Sequence, residues 1–95
     1  MILNSKKRNN DYVVSVCDDG LLGKTLEDSD YEIKVSKNFY GEKKASADEV
    51  TVELSKATII NAIGEESISI LSKVKGDLKI IKVSGVPHAQ WIKII

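Results

Sequence analysis

Ser46-Ala47-Asp48-Glu49-Val50-Thr51-Val52-Glu53-Leu54-Ser55-Lys56-Ala57-Thr58-Ile59-Ile60-Asn61-Ala62-Ile63-Gly64 is the stretch on which the fold turns. It reads as the strongest helix of the chain. Ser46 is placed to cap it, and Glu49 three residues on completes a capping box, an arrangement that contributes about 1 kcal/mol. Val50, Leu54, Ala57 and Asn61 recur on one side, with Ile60 and Ile63 beside them, at the spacing of an amphipathic helix. Gly64 suits the C-terminal cap. A second helix follows from Glu65 to Lys75. Two acids open it, Ile68, Leu71 and Val74 share a side, lysines close it, and Gly76 lies just beyond.

Upstream the pattern changes to strands. Met1 to Lys7 and Tyr12-Val13-Val14-Ser15-Val16-Cys17 read as a hairpin about an Asn9-Asn10-Asp11 turn, with Met1 and Leu3 facing the core beside Val14 and Val16. Asp18-Asp19-Gly20 is a turn, and Leu21 to Leu26 reads as an irregular segment with its leucines inward, because Gly23 discourages a helix. Tyr31, Ile33 and Val35 alternate with Glu32, Lys34 and Ser36, the clearest period-two strand in the chain. Asn38-Phe39-Tyr40-Gly41-Glu42 reads as a compact loop with both aromatic rings against the core.

Downstream, Asp77 to Val83 and Trp91 to Ile95 read as strands joined through Gly85-Val86-Pro87-His88-Ala89-Gln90, a sheet-embedded junction. It holds the chain's sole proline, sole histidine and sole glutamine. Strands, then two helices, then strands predict an α+β fold: a small, mainly antiparallel sheet with two helices packed on one face. At 95 residues the chain is expected to form one domain.

Composition excludes more than it selects. Fourteen basic residues balance 14 acidic ones, so no overall field draws the molecule to nucleic acid or membrane. Arg8 is the only arginine, although arginine is the usual residue for bidentate phosphate and base contacts. No apolar run approaches the ~18 residues of a membrane span. A single cysteine, Cys17, excludes an intramolecular disulfide and, with no signal-peptide pattern at the N-terminus, points to the cytoplasm.

Residues with chemical potential are few. His88 is a candidate base or ligand, and equally a ring that locks the Pro87 turn. Cys17 and His88 form a nominal nucleophile and base pair, but Asp18 and Asp19 would raise the thiol pKa. One Cys and one His do not make a zinc site, so neither metal nor cofactor is expected. Gly23-Lys24-Thr25 matches only the end of a phosphate-binding loop, since the upstream glycine falls at Asp18. Lys6-Lys7-Arg8 and Lys43-Lys44, with Tyr12, Phe39, Tyr40 and Trp91, are candidates for a small nucleic-acid surface.

Four segments taken together carry a resemblance: Cys17-Asp18-Asp19-Gly20-Leu21-Leu22-Gly23-Lys24-Thr25, Phe39-Tyr40-Gly41-Glu42, Ala57-Thr58-Ile59-Ile60-Asn61-Ala62-Ile63-Gly64 and Gly85-Val86-Pro87-His88-Ala89-Gln90. In this order they resemble the archaeal family known as domain of unknown function 424. The likeness spans nearly the whole chain, and the last hexapeptide is its most specific part. It implies an archaeal cytoplasmic protein of α+β fold and supplies no activity. Within the shared segments Asp18, Lys24, Thr25, Asn61, Pro87, His88 and Gln90 form the candidate binding surface, expected to converge on one side of the molecule.

The leading expectation is a non-enzymatic binding module, accessory to RNA or a ribonucleoprotein of the translation machinery. Two alternatives stand beside it. One is a small enzyme or ligand binder using His88 with Lys24 and Asn61. The other is a protein-interaction subunit that docks through an apolar patch or open sheet edge, including as a homodimer.

Overall fold

The computed structural model describes residues 1–94; Ile95, the last residue of the expected terminal strand, lies outside them. The elements in chain order are β1 (Ile2–Arg8), β2 (Asp11–Cys17), β3 (Thr25–Glu27), β4 (Glu32–Lys34), α1 (Lys37–Tyr40), β5 (Lys43–Lys44), α2 (Ala47–Lys56), β6 (Ile59–Ile63), α3 (Glu65–Lys75), β7 (Ile81–Val83) and β8 (Val86–Ile92). A six-stranded sheet runs in the order β5-β1-β2-β6-β8-β7, and β3 with β4 makes a separate two-stranded hairpin. The large sheet is antiparallel except where β2 and β6 run parallel.

The first hairpin forms as its alternation requires. Leu3 lies opposite Val16. Both are buried in the main core with Val14, Val50, Leu54, Ile60, Ala62, Ile68 and Leu71, and Met1 packs against that cluster. The capping box is present: the Ser46 hydroxyl accepts from the Glu49 N–H at 3.1 Å, and the Glu49 carboxylate accepts from the Ser46 N–H at 3.1 Å. Helix α2 then buries Val50 and Leu54 against the sheet.

The helix ends nine residues before Gly64's neighbour α3 begins, and this is the main correction to the sequence reading. Ala57 is extended, and Ile59–Ile63 is a strand at the middle of the sheet. The run Thr58-Ile59-Ile60 is β-branched and loses rotamer freedom in a helix. As a strand it pairs with β2 on one side and β8 on the other, which satisfies its backbone groups. Gly64, at φ 109°, therefore precedes α3 instead of closing α2.

Four smaller corrections follow. Thr25 and Leu26, expected within an irregular segment, belong to β3, which pairs with β4. Residues 38–40 are helical, and while Tyr40 is buried, Phe39 is 43% exposed. The expected strand at 77–83 is regular only over Ile81–Val83. The junction at 85–90 is embedded in the sheet, but the strand expected from Trp91 begins earlier: Ser84 (φ 51°) and Gly85 (φ 80°) make a two-residue hairpin turn, and Val86 to Ile92 is one continuous strand.

Helices α2 and α3 cover one sheet face. On the other, α1 and the β3–β4 hairpin cover only the end bearing Ile2, Cys17 and Ile63, where Val35, Tyr40, Leu22 and Leu26 complete a second cluster. Asp28 ties this hairpin to the β7–β8 turn by accepting from the Ser84 N–H at 3.1 Å. The architecture is thus a mixed α/β fold with a mainly antiparallel sheet and three helices, one more helix and one more covered face than expected. Among the described residues, no helix is long and apolar enough to cross a membrane.

Candidate functional site

The sheet register places residues from distant parts of the chain in rows. Asn4 lies opposite Ser15, Ser15 beside Asn61, and Asn61 opposite Gln90. These four polar side chains cross β1, β2, β6 and β8 on the face that α2 and α3 leave free, because alternation sends Leu3, Val16, Ile60 and Ala89 to the helical side. One flanking row, Ile2, Cys17, Ile63 and His88, runs toward the hairpin-covered end. The other, Lys6, Val13, Ile59 and Ile92, is open.

The polar row holds unused hydrogen-bonding capacity. Gln90 Nε2 donates to Asn61 Oδ1 at 2.8 Å, and Asn4 Nδ2 donates to the Phe39 carbonyl at 3.1 Å. Ser15 is 3% exposed and Asn61 8% exposed; among the described residues the Ser15 hydroxyl and the Asn61 Nδ2 have no protein partner, and both atoms reach solvent, since no buried side-chain nitrogen or oxygen there is left unpaired. On each strand the neighbours along this face are apolar: Val13 and Cys17 around Ser15, Ile59 and Ile63 around Asn61.

At the β1 end of the row lies a cradle of about 120 Å³ between α1 and the sheet, lined by Asn4, Lys6, Arg8, Val13, Ser15, Asn38 and Phe39. The basic cluster Lys6-Lys7-Arg8 is divided by the strand's alternation. Lys6 and Arg8 share the free face with Asn4, while Lys7 lies opposite Tyr12 on the helical side. Of the aromatic residues named from sequence, only Phe39 serves this face. Tyr12 donates its hydroxyl proton to Glu53 of α2, Tyr40 is buried, and the Trp91 ring lies under the Lys75 ammonium at 4.1 Å on the helical side.

The candidate residues do not all meet. Asn61, His88 and Gln90 are neighbours on the sheet: Gln90 faces Asn61 directly, and His88, opposite Ile63, is its diagonal neighbour. Asp18 and Pro87 belong to a different place, the start of α3, where they line a crevice of about 190 Å³ with Gly64 and Gly85. Here the Asp18 carboxylate accepts from the Glu66 N–H at 3.0 Å, the Ser67 N–H at 2.8 Å and the Ser67 hydroxyl at 2.7 Å, so it caps a helix that has no capping side chain of its own. The Pro87 carbonyl accepts from the Gly64 N–H at 2.9 Å.

Lys24 and Thr25 sit on the hairpin with exposed side chains. Lys24 contributes through its backbone, donating to Leu21 at 3.0 Å and accepting from Val35 at 2.8 Å. The cavities of about 650 Å³ and 360 Å³ are lined by other residues, near Asp48 and Val52 and near Glu65 and Ile70, so neither gathers Lys24, Asn61 and His88.

Cys17 and His88 stand on strands separated by β6, two strand spacings or about 10 Å apart. Burial raises the thiol pKa to about 11, with the Asp18 charge adding to it. Burial also lowers the His88 pKa. A neutral thiol and a neutral imidazole at that separation do not form a nucleophile and base. Among the described residues no group of three or more His, Cys, Asp or Glu gathers as metal ligands would.

Asn4 and Ser15 escaped the sequence reading. The signal available was a polar residue interrupting an apolar strand face, at Ser15 within Tyr12–Cys17. That Ser15, Asn61 and Gln90 align became visible only with the register.

Fold and face together define the class: a small mixed α/β protein whose sheet is covered by helices on one side and left partly open, with a polar row, on the other. The chain belongs to the family described as Protein of unknown function (DUF424), whose model matches residues 6–94. It is similar to the crystal structure of an uncharacterized conserved protein from Methanopyrus kandleri, with 27% identity and a TM-score of 0.79 over 94% of this chain and 87% of that one. No curated protein matches it.

Proposed function

We propose that this protein is a non-enzymatic binding module for single-stranded RNA, acting through the free sheet face. One observation carries the reading: the row Asn4, Ser15, Asn61, Gln90, whose Ser15 Oγ and Asn61 Nδ2 have no protein partner among the described residues, crosses the face that α2 and α3 leave free, which also bears Lys6 and Arg8. Unpaired bases present hydrogen-bonding edges and an apolar ring face, and RNA adds a 2′-hydroxyl that donates and accepts. Amides and a hydroxyl suit the edges, Val13, Ile59 and Phe39 suit the rings, and two cations suit phosphates. The balanced overall charge is compatible with this, since binding here draws on a local pair of cations. In this reading the chain is a cytoplasmic accessory to RNA or ribonucleoprotein machinery and contributes a surface.

The test is fluorescence anisotropy with a labelled twelve-nucleotide oligouridylate, a matched oligodeoxythymidylate and a duplex, over a range of salt. Preferential binding of the single-stranded RNA is expected. K6A/R8A should reduce the salt dependence by roughly 1.4 in the log–log slope, the share of two phosphate contacts. Absence of binding at low salt, or variants on this face that bind as the parent does, would sink the proposal.

A second reading has its own observation. Ile92 is 59% exposed and aligns with Ile59 and Val13 on the same face, while Ile94 is 92% exposed. An apolar row of this kind favours docking of a second copy of the chain. Sedimentation equilibrium decides it: a dimer that I92K dissociates supports self-association, and a monomer across the micromolar range removes it.

A further inference from the structure

The cradle between α1 and the sheet is more specific than the face around it. Its volume, about 120 Å³, suits one planar heterocycle and is too small for a whole nucleotide. Buried Ser15 and half-buried Asn4 and Val13 line it together with exposed Asn38, Phe39, Lys6 and Arg8. No carboxylate lines it; the nearest by register is Asp11, which lies opposite Arg8 and accepts from the Thr58 hydroxyl at 2.9 Å.

Three observations point to an occupant. Ser15 lines the cradle, and its hydroxyl has no protein partner among the described residues and reaches solvent, free to bond a ligand. Asn4 is held by its bond to the Phe39 carbonyl, which uses the amide N–H and leaves Oδ1 to accept from something else. Phe39 is 43% exposed although it packs edge-on against buried Tyr40, with centroids 4.9 Å apart and planes at 80°. An aromatic ring fixed in place and left uncovered is a stacking platform.

We infer that the cradle takes a single unpaired nucleobase, stacked on Phe39, read by Asn4, Ser15 and Asn38, with the adjoining phosphate held by Lys6 and Arg8. Lys6 and Arg8 are two residues apart on one strand, about 7 Å along the sheet, so they address the backbone on the side where the base would leave the cradle. The inference rests on the open-face reading but makes a narrower claim, and the two fail differently.

The experiment is a ¹H–¹⁵N correlation titration of the whole chain with uridine, cytidine, adenosine and guanosine monophosphates, ribose 5-phosphate and the twelve-nucleotide oligouridylate. The expected result is that at least one mononucleotide shifts Asn4, Ser15, Asn38 and Phe39, whereas ribose 5-phosphate moves only Lys6 and Arg8. F39A should weaken oligonucleotide binding roughly five- to 150-fold, the loss of one stacked base, and F39W should restore it.

If ribose 5-phosphate and the mononucleotides shift the same residues equally, the cradle is an anion site and the inference is overturned. It is overturned too if F39A binds the oligonucleotide as the parent does while K6A/R8A weakens it, a result that leaves the open-face reading standing. If mononucleotides occupy the cradle and the oligonucleotide binds no more tightly, the cradle stands and the extended-face reading falls. Should no probe shift any residue, both are wrong.

Discussion

The carboxylate of Asp18 occupies the space that a side chain at Gly64 would need: a Cβ built on Gly64 lies 2.2 Å from Asp18 Cγ and 2.5 Å from Oδ2. Gly64 sits at φ 109°, a conformation side chains rarely adopt, and its missing Cβ lets Asp18 reach the first turn of α3. A residue at the end of β2 thereby caps a helix 48 residues later in the chain. This gives Asp18 a structural role at the start of α3.

Asp18→Ala should therefore destabilise the fold by about 1–3 kcal/mol, the cost of a lost cap with two N–H groups left unpaired. Gly64→Ala should cost at least as much, from both the positive φ and the collision. Urea midpoints check both. Loss of stability without loss of affinity for the oligonucleotide is expected; parental midpoints would show that the cap does not hold α3.

Cys17 should be inert in the folded protein. It is fully buried, and its pKa of about 11 leaves almost no thiolate at neutral pH. Reaction with a chromogenic disulfide reagent should be slow in buffer and immediate in denaturant. Rapid labelling of the native chain would contradict the packing around Ile2, Val35 and Ile63.

Acidification should weaken the fold through His88 before the carboxylates titrate. Burial lowers its pKa below the ordinary 6.5, so between 6.5 and the folded value the unfolded chain binds more protons than the native one. Stability present above 6.5 is then lost as pH falls through that window. Asp28 and Glu53, whose pKa values are lowered by their hydrogen bonds, add their own losses only below the carboxylate values of 3.8 and 4.5. Denaturation midpoints of the parent should fall between about pH 7.5 and about pH 5, and those of H88Q should stay nearly level. Parallel curves would remove His88 as the cause.

Ser15→Val should separate stability from binding. The hydroxyl makes no bond within the protein, and a β-branched side chain suits the strand and has room in the adjoining cradle. Stabilisation of up to roughly 1 kcal/mol is expected from strand propensity, together with weaker nucleotide binding. A thermal shift and the anisotropy titration read the two effects. A destabilised variant would mean that Ser15 serves the fold and has no need of a ligand.

Much of the architecture is local and could be read without coordinates. The Ser46 and Glu49 capping box, the extent of α3, and the β1–β2 hairpin with Leu3 beside Val16 all follow from side-chain spacing and turn chemistry, which act within a few residues. Membership of the family was likewise legible in four short segments. Strand β6 was not. Val50, Leu54, Ala57 and Asn61 keep helical spacing, so periodicity alone extended α2 through residues whose β-branching spoke weakly against it. Pairing with β2 and β8 decided the matter, because only a central strand satisfies the backbone of 59–63 while burying both its faces. The polar row depends on the same event. Asn4, Ser15, Asn61 and Gln90 span 87 residues of chain, and a one-residue slip of any strand would turn its member to the helical side. Composition made Gln90 and His88 conspicuous. Register, a property of the folded sheet alone, joined Gln90 to Asn61, Ser15 and Asn4 and set Asp18, Lys24, Thr25 and Pro87 elsewhere, at the start of α3 and on the hairpin.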